Sequence, residues 1–172
     1  MEDQMPSRYL YLAAIVALAV VFLALAAIRV WRGRASAQGI MLAPFATELT
    51  ISPAQTFERV QYVSTTLTDD PLNRIHAHGL GFRGWAELVT GPQGLLLKRR
   101  GESNLALTKA QIVSVKTAQA TIDRGVEVDG LIQIDWTHDL HQLSTFLRAK
   151  SGSQKLEIIA ALSAITAKEA TK

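Results

Sequence analysis

At 172 residues the chain has room for one domain plus accessory segments, and 48% of it is apolar. The formal charge of +3 hides a division: residues 1–34 carry four arginines against Glu2 and Asp3, while residues 35–172 carry 14 basic and 13 acidic side chains. The larger part is thus close to neutral, without the broad basic field that phosphate binding needs, which argues against nucleic acid as a partner. The absence of cysteine fits a reducing compartment, though many exported domains also lack disulfides.

After a short tail (residues 1–8), "YLYLAAIVALAVVFLALAAI" from Tyr9 to Ile28 has no charge, proline or glycine. Twenty such residues at about 1.5 Å each cover the hydrocarbon core of a bilayer, roughly 30 Å. The sequence therefore predicts a transmembrane helix over residues 9–31, with tyrosines at one end and Trp31 at the other suited to the headgroup layers. A cleaved signal peptide is the competing reading, and "RASAQG" does contain an A-x-A-like element. The acidic start, the long apolar core and the basic residues after it favour an uncleaved anchor. Arg29, Arg32 and Arg34 follow the span and only Arg8 precedes it. The positive-inside bias then places the N-terminus outside and the remainder in the cytoplasm, as expected of a single-pass protein of the plasma (inner) membrane.

Residues 32–55 show no sustained period and read as a juxtamembrane linker whose apolar piece "IMLAPF" lies on the membrane or on the domain. The domain is expected over residues 56–168, followed by a tail at 169–172. "FERVQYVSTT" reads as a strand, and "WAELVTGPQGLLLKRR" as two strands joined by Gly91-Pro92-Gln93-Gly94. "DDPLNRIHAHG" carries the signals of a short helix, with Asp69 or Asp70 as N-cap, Pro71 in the first turn and Gly79 as C-cap. "NLALT" and "QIVSVKTAQATI" continue the β character. In "GLIQIDWT", Ile132, Ile134 and Trp136 alternate with Gln133 and Asp135, and a turn at "THDLH" leads into the strand "QLSTFLRA". From Ser151 the period becomes helical, with Leu156, Ile158, Ile159, Leu162, Ser163 and Ile165 forming a broad stripe. Six or seven antiparallel strands closed by one amphipathic helix make a pleckstrin-homology (PH)-like barrel: the helix covers the sheet's apolar face and open edge.

The stretches "YVSTTLTDDPLNRI", "HGLGFRGWAEL" and "GLIQIDWTHD…STFLRA" resemble the actinobacterial single-pass membrane proteins that carry a cytoplasmic PH-like domain. The resemblance runs from about Tyr62 to Leu162, with the preceding anchor. It implies the fold and topology, and it brings no catalytic residues; members carry names such as membrane, export or transporter protein.

Apparent chemical motifs dissolve on their flanks. Gly79-Leu80-Gly81-Phe82-Arg83-Gly84 spells the dinucleotide motif G-x-G-x-x-G, which requires a preceding strand and a following helix. Here the order is helix signals first and strand after. His76 and His78, two apart on a predicted helix, point away from each other and cannot share an ion. His138 and His141 flank a tight turn, where with Asp139 an adventitious metal is the alternative to a simple hairpin tip. Asp69-Asp70 and Glu127/Asp129 sit at expected turns or caps. No nucleophile elbow or cysteine is present. The sequence thus predicts no enzyme, no cofactor, and no catalytic or metal residue. Phe82 and Trp85 are available to pack. Lys98, Arg99 and Arg100 form a candidate lipid-headgroup site, with Lys98 and Arg100 projecting together and Arg99 opposite. Arg29, Trp31, Arg32 and Arg34 are the membrane-flanking set.

The function expected from these features is a non-catalytic interaction module held at the bilayer. Its partner is expected to be a protein, a membrane transporter or a cytoplasmic enzyme, bound through a groove or free strand edge. The alternatives are recognition of anionic lipid headgroups and an accessory role beside a transporter.

Overall fold

A computed structural model describes residues 7–118 and 130–166; the predicted carboxylate pair Glu127/Asp129 and the two tails beyond these limits lie outside them. Helix α1 (Ser7–Met41) contains the apolar window Tyr9–Val30, which is long and apolar enough to cross a membrane and has none of its surface buried. The helix runs through the first ten residues of the predicted linker. Its sequence there has no proline until Pro44, which restricts the residue before it to extended backbone.

Seven strands follow: β1 (Gln55–Leu67), β2 (Gly84–Gly91), β3 (Gly94–Arg99), β4 (Leu105–Thr108), β5 (Ile112–Ala118), β6 (Leu131–His138) and β7 (His141–Arg148), then helix α2 (Gly152–Thr166). All pairs are antiparallel in one sheet of order β4-β3-β2-β1-β7-β6-β5. The central strand β1 joins two halves, pairing with β2 over Gln55–Tyr62 and with β7 over Gln61–Leu67. Two register shifts, between Phe57 and Val60 and between Tyr62 and Ser64, bend it so that the sheet curls on itself. At the first, Arg59 takes the left-handed conformation (φ 55°). Buried Gln154 of α2 holds the bulge by donating to the Glu58 carbonyl (2.9 Å).

The alternation read in β6 holds: Ile132, Ile134 and Trp136 are buried in the core with Leu88, Leu97 and Leu147. The Gly91–Gly94 turn forms as expected. Its glycines are needed because a Cβ on Gly94 would strike the Leu107 carbonyl, and one on Gly91 would strike Ile51 and the Pro53 carbonyl. Helix α2 packs on β5 and β2 through Gln154, Ile158, Leu162 and Ile165. Leu156, expected in its apolar stripe, is 66% exposed. Two residues before Ile158 is about 200° around the helix, so it points to solvent.

The predicted helix over 70–79 is replaced by a turn, a short bridge and a single 3-10 turn (Ala77–Gly79). Asn73 N–H donates to the Asp70 carbonyl (2.9 Å), so Pro71 occupies the second turn position, which its fixed φ suits as well as a helix start. Ile75 N–H then donates to the Thr65 carbonyl (2.8 Å), which draws the segment along β1 and withdraws that amide from any helix.

A buried polar chain crosses the core. Trp136 Nε1–H donates to Thr145 Oγ1 (2.9 Å), which is 2.9 Å from Thr65 Oγ1, itself 3.0 Å from the Tyr62 hydroxyl. Tyr62 is 2.8 Å from the Leu80 carbonyl. A carbonyl only accepts, so Tyr62 spends its one proton there, and each hydroxyl behind it donates forward. Burial pushes the Tyr62 hydroxyl up to about 12.

Candidate interaction site

Residues 42–54, read from sequence as linker, form a strap along the domain. Leu42 is buried and Phe45 packs against the core. The Phe45 ring lies 5.3 Å from His78, 5.5 Å from Trp136 and 4.6 Å from His138 between centroids. His78 Nε2 is 2.8 Å from the Leu42 carbonyl and His138 Nε2 is 3.0 Å from that of Ala43; a carbonyl only accepts, so each ring nitrogen donates to the strap. The strap then covers the outer edge of β4, where Ala106 N–H donates to the Ala46 carbonyl (2.8 Å). It ends at the β2–β3 turn, where Ser52 and Gln93 exchange hydrogen bonds of 3.1 and 2.8 Å.

These contacts assign the histidines. His78 and His138 clamp the strap; His76 immediately precedes the 3-10 turn; His138 and His141 pair across the β6–β7 turn. His138 Nε2 is 3.7 Å from Asp139 Oδ2. Among the described residues no three ligating side chains converge in a way that could hold a metal. The glycine motif lies between the 3-10 turn and β2: Gly79 has φ +77°, and Gly84 opens the strand. No helix follows to receive a pyrophosphate.

The basic cluster divides as the strand alternation requires. Arg99 is 7% exposed and points inward. Its Nε and Nη2 donate to the Ser103 carbonyl (2.9 and 2.8 Å), its Nη1 donates to the Gly79 carbonyl (2.9 Å), and its guanidinium lies 4.9 Å from the centre of the Tyr62 ring. Desolvation lowers its pKa. It is committed to joining two loops. Lys98 is paired outside with Glu87 (2.8 Å), and Arg100 is exposed. A groove of about 630 Å³ on this outer face also exposes Arg59 and Trp85. Of the membrane-flanking residues, Arg29 is exposed on α1, and Trp31, Arg32 and Arg34 lie on its continuation.

The other edge of the sheet is unlike β4. Along β5 only β6 is paired, and among the described residues no backbone group bonds to its outer side. Val113, Lys116 and Thr117 are exposed on it. Behind this edge, Asp135 of β6 gathers three elements. Its Oδ2 accepts from Ser114 Oγ (2.8 Å) and lies 2.8 Å from Lys116 Nζ, both on β5. Its Oδ1 accepts from Ser144 Oγ of β7 and from Gln133 Nε2, each at 2.6 Å. Burial alone would raise the carboxyl's pKa, but Lys116, Ser144, Gln133 and Ser114 outweigh it and hold it below the ordinary carboxylate value. Sequence reasoning places Asp135 on the outer face; that it fixes an edge strand is visible only from the register of β5 on β6.

A seven-stranded antiparallel sheet closed by a C-terminal helix defines a PH-like domain. Residues 44–163 match the profile of the family described as "Bacterial PH domain-like", and the chain belongs to that family. The match begins within the strap. Among solved structures, the solution structure of the C-terminal phosphotyrosine interaction domain of mouse APBB2 is similar at 9% identity and a TM-score of 0.46, covering 74% of this chain and 98% of that one. No curated protein matches.

Proposed function

We propose that the chain is a bitopic membrane protein whose PH-like domain is a non-catalytic protein-interaction module, binding an extended segment of a partner along β5. Helix α1 would cross the plasma (inner) membrane once, with the arginine-rich flank and the domain in the cytoplasm. The partner class is a membrane transporter or a cytoplasmic enzyme. The observation that carries the reading is the β5 edge, held in register by Asp135 and without a backbone partner among the described residues, while the opposite edge is covered. A strand pinned on one side by its neighbours offers the main-chain groups of its outer side to an added strand at little ordering cost.

The test is site-specific photocrosslinking in native membranes, with the reactive residue at Val113 or Thr117 on β5 and at Leu156 on α2 as control. The expected outcome is a protein adduct from both β5 positions and none from the control. An absence of protein adducts, or equal yield at all three positions, overturns the reading. Orientation is checked separately by protease treatment of spheroplasts, in which digestion of the domain from outside would remove the cytoplasmic assignment.

A further inference from the structure

Among the described residues of the domain, six large apolar side chains are well exposed, and three of them, Leu140, Leu72 and Phe82, lie on loops at the strapped end. Leu140, 98% exposed, tips the two-residue turn between β6 and β7; His138 of that turn holds the Ala43 carbonyl two residues after α1 ends. Leu72, 73% exposed, is in the Asp70–Asn73 turn. That loop begins at Thr68, whose N–H donates to the Gln142 carbonyl (3.0 Å), so it lies beside the Leu140 turn. Phe82 follows the 3-10 turn that grips Leu42 through His78, whereas Trp85, already in β2, lines the outer groove with Arg59 and Lys98. The other two, Val113 and Leu156, lie on β5 and α2.

We infer that this end of the domain rests on the bilayer through its apolar loop tips, with Leu140 and Leu72 entering the interfacial layer. The inference rests on the reading of α1 as a membrane anchor. Continuity with that helix selects the occupant: the loops that clamp the chain after Met41 are the ones that expose leucine. Charge does not drive the contact, because Asp69, Asp70, Glu102 and Asp139 on and beside these loops offset Arg74, Arg83 and Arg100. The surface is therefore suited to the interface of any bilayer rather than to an anionic headgroup. Tethering makes the second contact intramolecular, so two leucines and the Phe82 ring suffice where a free domain would dissociate. The eleven residues from Trp31 to Met41 extend α1 about 16 Å beyond its apolar window, so the contact requires the helix to leave the membrane inclined.

The chain has no cysteine, so single labels are unambiguous. Full-length Leu140→Cys, Leu72→Cys and, as control, Leu156→Cys would each carry an environment-sensitive fluorophore. They would be reconstituted in vesicles of phosphatidylcholine alone or with phosphatidylglycerol, containing a shallow spin-labelled lipid as quencher. The expected result is loss of emission at 140 and 72 in both compositions, and none at 156. Tips quenched no more than the control overturn the inference, and so does quenching confined to the anionic vesicles. Alkaline extraction of the chain from the vesicles would instead overturn the anchor reading and this inference with it; retention with unquenched tips would overturn the inference alone.

Discussion

The two edges of the sheet solve one problem in opposite ways. At β4, four residues long, the strap supplies the Ala46 carbonyl as acceptor for the Ala106 amide and plugs the neighbouring end of the core with Leu42 and Phe45. At β5, seven residues long, the outer edge has no backbone partner among the described residues, and the nearest investment is behind it, in the carboxylate that pins β5 to β6 and β7. An uncovered edge invites pairing with another chain, and proteins ordinarily blunt it. Here one edge is blunted and the other is stiffened. That difference is what the proposed pairing of a partner along β5 rests on.

The largest expected effect breaks the stiffened edge. Asp135→Ala leaves Ser144, Gln133, Ser114 and Lys116 without their common acceptor and should cost about 2–3 kcal/mol in urea unfolding, with faster amide exchange along β5. The wild-type contribution should depend on pH with a definite sign. The folded carboxyl titrates below its unfolded value of about 3.9, so the stabilisation is complete above that value and is lost as pH falls through the folded pKa. The Asp135→Ala variant should lose less stability than wild type over that acid range; equal losses would remove Asp135 from the account. Next in size is the covered edge. Phe45→Ala empties a partly buried aromatic site and should cost about 2 kcal/mol. It should raise exchange at the Ala106 amide and leave β5 unchanged, as read by hydrogen exchange with mass spectrometry. The smallest effect sharpens the contrast. Val113→Lys, at an exposed edge position, should change stability by less than about 0.5 kcal/mol yet reduce crosslinking from Thr117. Unchanged crosslinking would move the partner off this edge.

Much of the sheet was legible because its signals are local. Ile132, Ile134 and Trp136 alternate within one strand, and Gly91 to Gly94 encode a turn in four residues. What escaped depends on residues distant in sequence. Pro71 suits a helix start and a β-turn equally, and the choice is made by the Thr65 carbonyl, which takes the Ile75 amide. The strap has no period because its partners His78, His138, Ala106 and Gln93 lie on four different elements. Arg99 sits in a basic triplet that reads as surface, and only the position of Gly79 and Ser103 reveals carbonyls waiting inside. Phe82, at the strapped end, and Trp85, in the outer groove, were expected to be available for packing and are about half exposed. Of the candidate site, the outward face of Asp135 was readable and the edge position of β5 was not, since an edge exists only once the strand order is known.

The strap also fixes how the molecule bears load. A tug on α1 arrives first at Leu42 and Ala43, where two imidazoles and a wedged phenyl ring hold the backbone, and next at the Ala46 junction with β4. The central strand, reached only after Pro53, lies at the far end of this series. A pull transmitted through α1 would therefore load this peripheral seam and the junction with β4 before it reached the central strand.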